Sequence, residues 1–477
     1  MKMKFNDFRR GVNRKLSDNL IALSEAKISY NFDFSGGSLK AGLPFQAEFG
    51  QVLTNSASID SFIASEKDLQ GGSIFYFKKY DFDKRKDASK LIYVTPEFKF
   101  FYLPLDGSSE SFIPLGLEFS SRPQGICYRL NSVDVIIFSS PTDNMVVWDG
   151  VGEPEIVVDA PKITSMCLHS ERLFATTSGS ADEVWFSDDL DPTNWSISLN
   201  DAGFIQLADE RGEARKVISY NGYVYIFRDK GISRLSASGA QEDFYLSHLF
   251  VSSGKIYDKT IALCGDRILF VASDGLYAFN GSDTVKILED VSPLIMPSSE
   301  SEAVFYNGRY YLTCHIDFED EVYRDGEKTN NAVFALDIST NEYVIYRGLS
   351  VQSMAVIERL GKYNLVLLND ASSGQAVEEN MLLVDSDKSL ECKARYATGL
   401  YDFGEPSARK VVRKVMGYVK NGESVLVTIF NESGEAVSVN LEEHTNLIPV
   451  MIDGKSIGFI IDAIENVELE SLQVEVF

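Results

Sequence analysis

The chain has 477 residues, a formal charge of −25 and a hydrophobic fraction of 44%. That length leaves room for two or three domains, or for one large β fold, with ample chain to bury a core. The charge argues against a general nucleic-acid binder, which needs basic grooves to release counterions. Lining a passage, the same acidic surface would repel DNA and let it slide without sticking.

The N-terminus is the basic exception. Residues 1–27 carry seven Lys/Arg against three Asp/Glu, and an amphipathic helix is predicted from about Asn6 to Glu25. This short helical arm either packs on the rim of the fold or docks on an acidic partner through Arg9, Arg10, Arg14 and Lys15. On the docking reading, deleting residues 1–27 leaves the monomer folded but keeps it out of its assembly. The apolar run "LIAL" is too short for a cleaved signal, and no window reaches the ~18 apolar residues of a membrane helix. The chain is therefore expected to be made in the cytoplasm, with no membrane-spanning segment.

Residues 1–45 read as this arm and a first strand, and 46–390 as a degenerate repeat. The unit is a turn dipeptide, an apolar run, a second turn and another apolar or aromatic run. Examples are "NGYVYIFRDKGISRL" from Asn221, "GDRILFVASDGLYAFNG" from Gly265 and "NGRYYLTCHIDF" from Asn307. Aligning Leu91, Val135, Leu173, Val224, Ile268, Tyr310 and Leu365 gives steps of 44, 38, 51, 44, 42 and 55 residues. Asn-Gly and Asp-Gly turns closing apolar runs predict hairpins. A period of about 40–50 residues with four short strands per unit is that of a β-propeller blade. The chain is therefore expected to be all-β, with a six- or seven-bladed propeller; a pair of β-sandwiches is the rival.

Beyond Glu391 the repeat stops. Residues 391–477 alternate polar and apolar positions between Asn-Gly and Ser-Gly turns, which predicts a C-terminal antiparallel β-sandwich.

Little in the chain suggests chemistry. The five cysteines (Cys127, Cys167, Cys264, Cys314, Cys392) are at least 40 residues apart, so neither a zinc site nor a disulfide framework is indicated. The four histidines (His169, His248, His315, His444) show no metal-ligand spacing, and there is no nucleophile elbow or Walker loop. No cofactor, no metal and no enzymatic activity are expected.

The stretch "WFSDDLDPTNWSI", Trp185 to Ile197, is the sharpest local feature. As a calcium loop it has Asn194 where glycine is wanted and Asn200 where glutamate is wanted. As a catalytic pair, its acids share one solvent-facing turn with nothing to separate their pKa values. It resembles the Asp-box of sialidases and related propellers, with Ser187, Asp189, Thr193 and Trp195 in the motif positions, an extra residue before the tryptophan and Asp191 where the box has glycine. That resemblance implies a structural turn: acids capping turn amides, Pro192 fixing the bend and Trp195 anchoring a blade.

Three longer pieces resemble a group of phage proteins. They are "AKISYNFDFSGGSLKAGLPF" (Ala26 to Phe45), "ERLFATTSGSADEVWFSDDLDPTNWS" (Glu171 to Ser196) and "ATGLYDFGEPSARKVVRKVMGYV" (Ala397 to Val419). In this order they are similar to the opening, the middle and the C-terminal entry of tailed-bacteriophage virion propellers, the tail nozzle or packaged-DNA stabilisation proteins. The resemblance implies a structural virion protein in the tail or neck, assembled in the host cytoplasm. It implies a ring of copies, hexameric or dodecameric, that contacts portal, adaptor or other tail proteins and lets double-stranded DNA pass without specific binding. The alternative is a glycan-binding or glycan-cleaving propeller acting in host recognition.

Overall fold

A computed structural model describes the chain except for residues 1, 6, 19, 23, 35, 47–71, 110–111, 198–200, 208, 240, 317, 319–329, 360, 371–376, 378–379, 386–389, 391 and 465–466. Seven four-stranded antiparallel sheets follow one another as the blades of a propeller. They span 73–118, 124–157, 163–206, 214–251, 262–287 and 303–347, with the seventh at 351–384. The strands of each blade are called a to d, from the hub outward. Hydrogen bonds between neighbouring a strands mark the hub: Ile74 N donates to Ser353 Oγ (3.3 Å) and Val217 N to Ser165 Oγ (3.3 Å). The d strand of blade 7 is Phe45–Gln46, which pairs with Met381–Val384 and closes the ring from the N-terminal side.

Local chemistry sets this pattern. In blades 2, 3, 4 and 6 the a–b turn is a dipeptide with both residues left-handed: Asn131-Ser132, Ser170-Glu171, Asn221-Gly222 and Asn307-Gly308. Such turns match the twist of the flanking strands, and asparagine and glycine enter them at least cost. Leu91, Val135, Leu173, Val224, Ile268, Tyr310 and Leu365 each lie in strand b of their own blade and are at most 4% exposed. Between each pair of blades the b and c strands bury one apolar cluster. The cluster between blades 5 and 6 runs on without a break into the core of the C-terminal region.

That region is not a separate sandwich. Its strands lie in one nine-stranded sheet, which four N-terminal strands complete. Lys2–Phe5 pairs with 472–475 and Ile28–Tyr30 with 395–397, while Leu39–Ala41 joins both 468–469 and Phe32–Asp33. The two ends of the main strand path are Ile28–Tyr30 and Phe32–Asp33, so the sheet curls until its ends meet at Asn31. Asn31 is fully buried and left-handed. Its side chain accepts Arg347 N (2.7 Å) and donates to Lys393 O (2.9 Å), which ties the sheet to blade 6.

The sandwich expectation fails because Asn421-Gly422 is not a hairpin turn. Lys410–Asn431 is one strand of 22 residues that bends there, its ladder slipping between Val419 and Ser424. Half of it pairs with Glu468–Val476 and half with Ile457–Ala463, so both halves remain in one sheet. Ser433-Gly434 does close a hairpin, to the 19-residue strand Ala436–Gly454.

The N-terminal helix is not formed either. Among the described residues of 6–25 the backbone is extended or bent, and its amides are spent elsewhere. Val12 N donates to Tyr343 Oη (2.6 Å), Asn13 N to Ala26 O (2.9 Å) and Arg14 N to Asp290 O (2.9 Å). Gly11 is left-handed, and a Cβ there would lie 2.6 Å from Tyr343 Oη. Phe8, Val12 and Ala26 are buried in the core shared by blades 5 and 6 and the C-terminal sheet. Tertiary burial outweighs a weak helical pattern here.

Candidate functional site

The Trp185–Ile197 stretch runs from strand c of blade 3 into the c–d turn. Ser187 is fully buried, its N donating to Leu173 O (2.9 Å) and its Oγ accepting Leu173 N (3.0 Å). Asp188 accepts Asp189 N (2.8 Å), and Asp191 accepts both Thr193 N (3.0 Å) and Thr193 Oγ1 (2.6 Å). Among the described residues Asp189, the motif aspartate, caps no turn amide; its carboxylate lies 3.9 Å from the Arg172 guanidinium. Trp195 is 3% exposed in the cluster between blades 2 and 3, and its Nε1 donates to Pro192 O (3.0 Å). Asn200 lies outside the described residues. The acids here stabilise a turn (two of them through its own amides), and the indole fastens that turn to the neighbouring blade.

Of the four basic residues named for the N-terminal arm, two are ion-paired within the chain. Arg9 forms a two-pronged pair with Asp7 (2.8 and 2.9 Å), and its hydrogen bonds hold the Asp7 carboxyl down to about 2. Lys15 pairs with Glu289 at 2.8 Å, beyond strand d of blade 5. Arg10 is exposed and Arg14 half-buried.

The fold also assembles groups that no local motif announces. At the hub face where the a strands begin, Arg122 leads into blade 2, while Glu300 and Glu302 lead into blade 6. Arg122 meets both acids, at 2.8 and 2.9 Å, so an ion pair spans the mouth of the axial channel. Glu302 also accepts Ser353 Oγ (3.1 Å) and Met354 N (3.0 Å) from blade 7. Burial pushes the Glu300 carboxyl up, but Lys259 and Arg122 together hold it below its usual range. Burial lowers the pKa of Lys216, whose amine donates to Ile261 O (2.8 Å) beside a cavity of about 210 Å³. These residues come from five blades or their lead-ins, so spacing along the chain carries no trace of them.

A second such group lies in blade 4. His248 Nδ1 is 2.9 Å from Ser233 Oγ and Nε2 is 3.0 Å from Asp209 Oδ2. The order of groups is that of a hydrolytic triad, but Ser233 is fully buried in strand c, opposite His248 in strand d, where no substrate reaches its oxygen. Asp209 also binds the buried Arg228 (2.5 Å) and Arg211 (3.1 Å). The cluster locks the loop that enters blade 4 onto its outer strands.

On the hub face opposite the ion-paired mouth, a groove of about 820 Å³ separates blades 6 and 7. Segment 33–46 forms one wall; Tyr306, the last residue of strand a in blade 6, and Tyr363, near the start of strand b in blade 7, line it beside the a–b turns. Tyr306 Oη donates to Tyr363 O (2.9 Å), and Tyr363 is 60% exposed. Arg309 lies among the lining residues with the buried Tyr311 and Tyr346. Burial raises the Tyr311 hydroxyl to about 12.

Among the described residues, no helix is long and apolar enough to cross a membrane. No family model matches the chain, and no curated protein matches it in sequence. Solved structures similar to it are propellers. PorZ, a surface component of the type-IX secretion system of Porphyromonas gingivalis, is 9% identical with a TM-score of 0.40. That match covers 78% of this chain, which spans only 45% of PorZ. The WD40 domain of Neurospora crassa Pan2 is 10% identical over 69% of this chain and 93% of its own, with a TM-score of 0.38. Virginiamycin B lyase from Staphylococcus aureus is 9% identical over 81% and 99%, with a TM-score of 0.32.

Proposed function

We propose that this chain is a structural virion protein of a tailed bacteriophage. Copies form a ring in the tail or neck that extends the DNA passage and helps retain or release the genome. The observation that carries the reading is the outer strand of the C-terminal sheet. Ala436–Gly454 is bonded to a neighbour on one side alone among the described residues, and Leu447 and Met451 are 62% and 77% exposed on it. A long open strand bearing exposed apolar side chains is a surface that a partner subunit covers. Pro449, opposite Lys414 in the ladder, carries no backbone donor, as suits an edge strand.

Two further features support the reading. The Arg122 ion pairs span the channel of the propeller itself, which fits a reading in which the DNA passage is the lumen of the ring of copies and not the axis of each propeller. A lumen built from chains of charge −25 repels DNA and lets it slide. Head-to-tail contacts that close give cyclic rings, here a hexamer or dodecamer seated on portal, adaptor or other tail proteins. The double variant Leu447→Lys/Met451→Lys tests the surface. It is expected to fold as the parent does and to be missing from purified particles; normal incorporation would contradict the reading.

A second reading, a glycan-binding propeller acting in host recognition, is favoured by one observation, the tyrosine-rimmed groove between blades 6 and 7.

A further inference from the structure

We infer that this groove binds a neutral oligosaccharide. The inference rests on the second reading above and is independent of the ring.

Charge decides the ligand class. The cations Lys40, Arg309 and Lys362 line the groove with the carboxylates Asp33, Asp337 and Asp385. Three of each sign balance, in a chain whose net charge is −25. A phosphate or nucleic-acid strand gains no net attraction from such a lining and is repelled by the chain as a whole. An apolar ligand would cover charged groups and return no hydrogen bond to them. A polyhydroxyl compound suits both signs, because each hydroxyl donates to a carboxylate and accepts from an amine or guanidinium.

The rim and the size agree. Tyr363 presents its ring to solvent while its carbonyl is held by Tyr306 Oη at 2.9 Å, so the chain that carries the ring is fixed. A flat aromatic face with a polar edge matches the C–H face of a pyranose, whose hydroxyls project around it. The volume of about 820 Å³ falls within the span usual for small-molecule sites. Tyr311 and Tyr346, 4% and 2% exposed, give the groove a rigid lining. A preformed groove spares the ordering cost that weakens flexible sites.

The test is an array of defined neutral and acidic glycans, probed with the full chain, with Tyr363→Ala, and with Tyr245→Ala as control. Tyr363 and Tyr245 are both largely exposed, and Tyr245 lies in blade 4, away from the groove. The full chain is expected to bind at least one neutral oligosaccharide. Tyr363→Ala should weaken that binding about tenfold by loss of one ring face, and Tyr245→Ala should leave it unchanged. Binding that survives Tyr363→Ala overturns the groove and leaves glycan recognition standing elsewhere. Binding confined to acidic glycans overturns the neutral class. A blank array overturns the inference and the second reading together, with the ring untouched.

Discussion

The propeller and the C-terminal sheet are both antiparallel β, yet they are held together in opposite ways. Among the described residues, blades 2 to 6 pair only strands that follow one another in the chain, blade 1 differs only by a short ribbon of Tyr80–Asp81 and Lys86–Asp87 between its first two strands, and the apolar faces of each pack on the next repeat. The C-terminal sheet instead joins strands from both ends of the chain, Lys2–Phe5 with 472–475 and Ile28–Tyr30 with 395–397. Non-local pairing requires loops to close before any contact rewards them, so such a sheet forms late and depends on every segment being present. Blade 7 stands between the two cases, since its outer strand, Phe45–Gln46, arrives from far away in sequence. A repeat tolerates local damage; a sheet sewn from both termini does not.

Truncation should separate the two most sharply. Removing residues 1–27 takes away Lys2–Phe5 and the buried Phe8, Val12, Ile21 and Ala26. A large buried apolar side chain contributes about 1.5–3 kcal/mol, so the truncated chain should lose the cooperative melting of the sheet while part of the propeller signal survives. Thermal unfolding followed by circular dichroism checks this. A truncated chain that melts like the parent would restore the picture of a detachable arm.

Single core substitutions come next. Trp195→Ala should destabilise the interface of blades 2 and 3 by about 3–5 kcal/mol, and Phe45→Ala the closure of blade 7 by a similar amount. Urea unfolding gives both values. Hydrogen exchange should show the loss confined to the neighbouring blades, as a sum of local interfaces requires; uniform loss over all seven blades would contradict it.

Arg122→Met should have a smaller effect, about 1–3 kcal/mol, by leaving Glu300 and Glu302 without their shared cation. Its pH dependence has a definite sign. The Glu300 carboxyl is held below its ordinary value of 4.5, so its contribution is present above that pH and is lost as pH falls through the lowered value. The gap between parent and variant should therefore narrow in acid, and a gap that widens there would remove the ion pair from the account. Smallest of all is Asp191→Asn, expected within about 1 kcal/mol because the amide oxygen still accepts Thr193 N and Oγ1.

The same contrast decides what could be read from the residues alone. The blades were legible because turn chemistry and apolar runs recur. The dipeptides Asn131-Ser132, Asn221-Gly222 and Asn307-Gly308 open the b strands, and the positions from Leu91 to Leu365 fall one to a blade. The helix predicted over Asn6–Glu25 does not form, because apolar Phe8 and Val12 at spacing four suit a helix and an extended segment wedged into a core alike. Asn421-Gly422 reads locally as a hairpin turn, and only the ladder on either side turns it into a bend. The Arg122 network and the Ser233–His248–Asp209 group arise where separate chain segments meet, and the groove is shared by blades 6 and 7 and segment 33–46. None of these leaves a pattern along the chain.

The most direct test of the proposed function is electron microscopy of virus particles purified from cells that express this chain with a label at Phe477. That residue is 58% exposed, so a label there should not disturb the sheet. The account predicts label in a ring with six- or twelve-fold symmetry about the DNA passage of the tail or neck. Particles that lack the protein, or that carry it without rotational symmetry away from the passage, would contradict it.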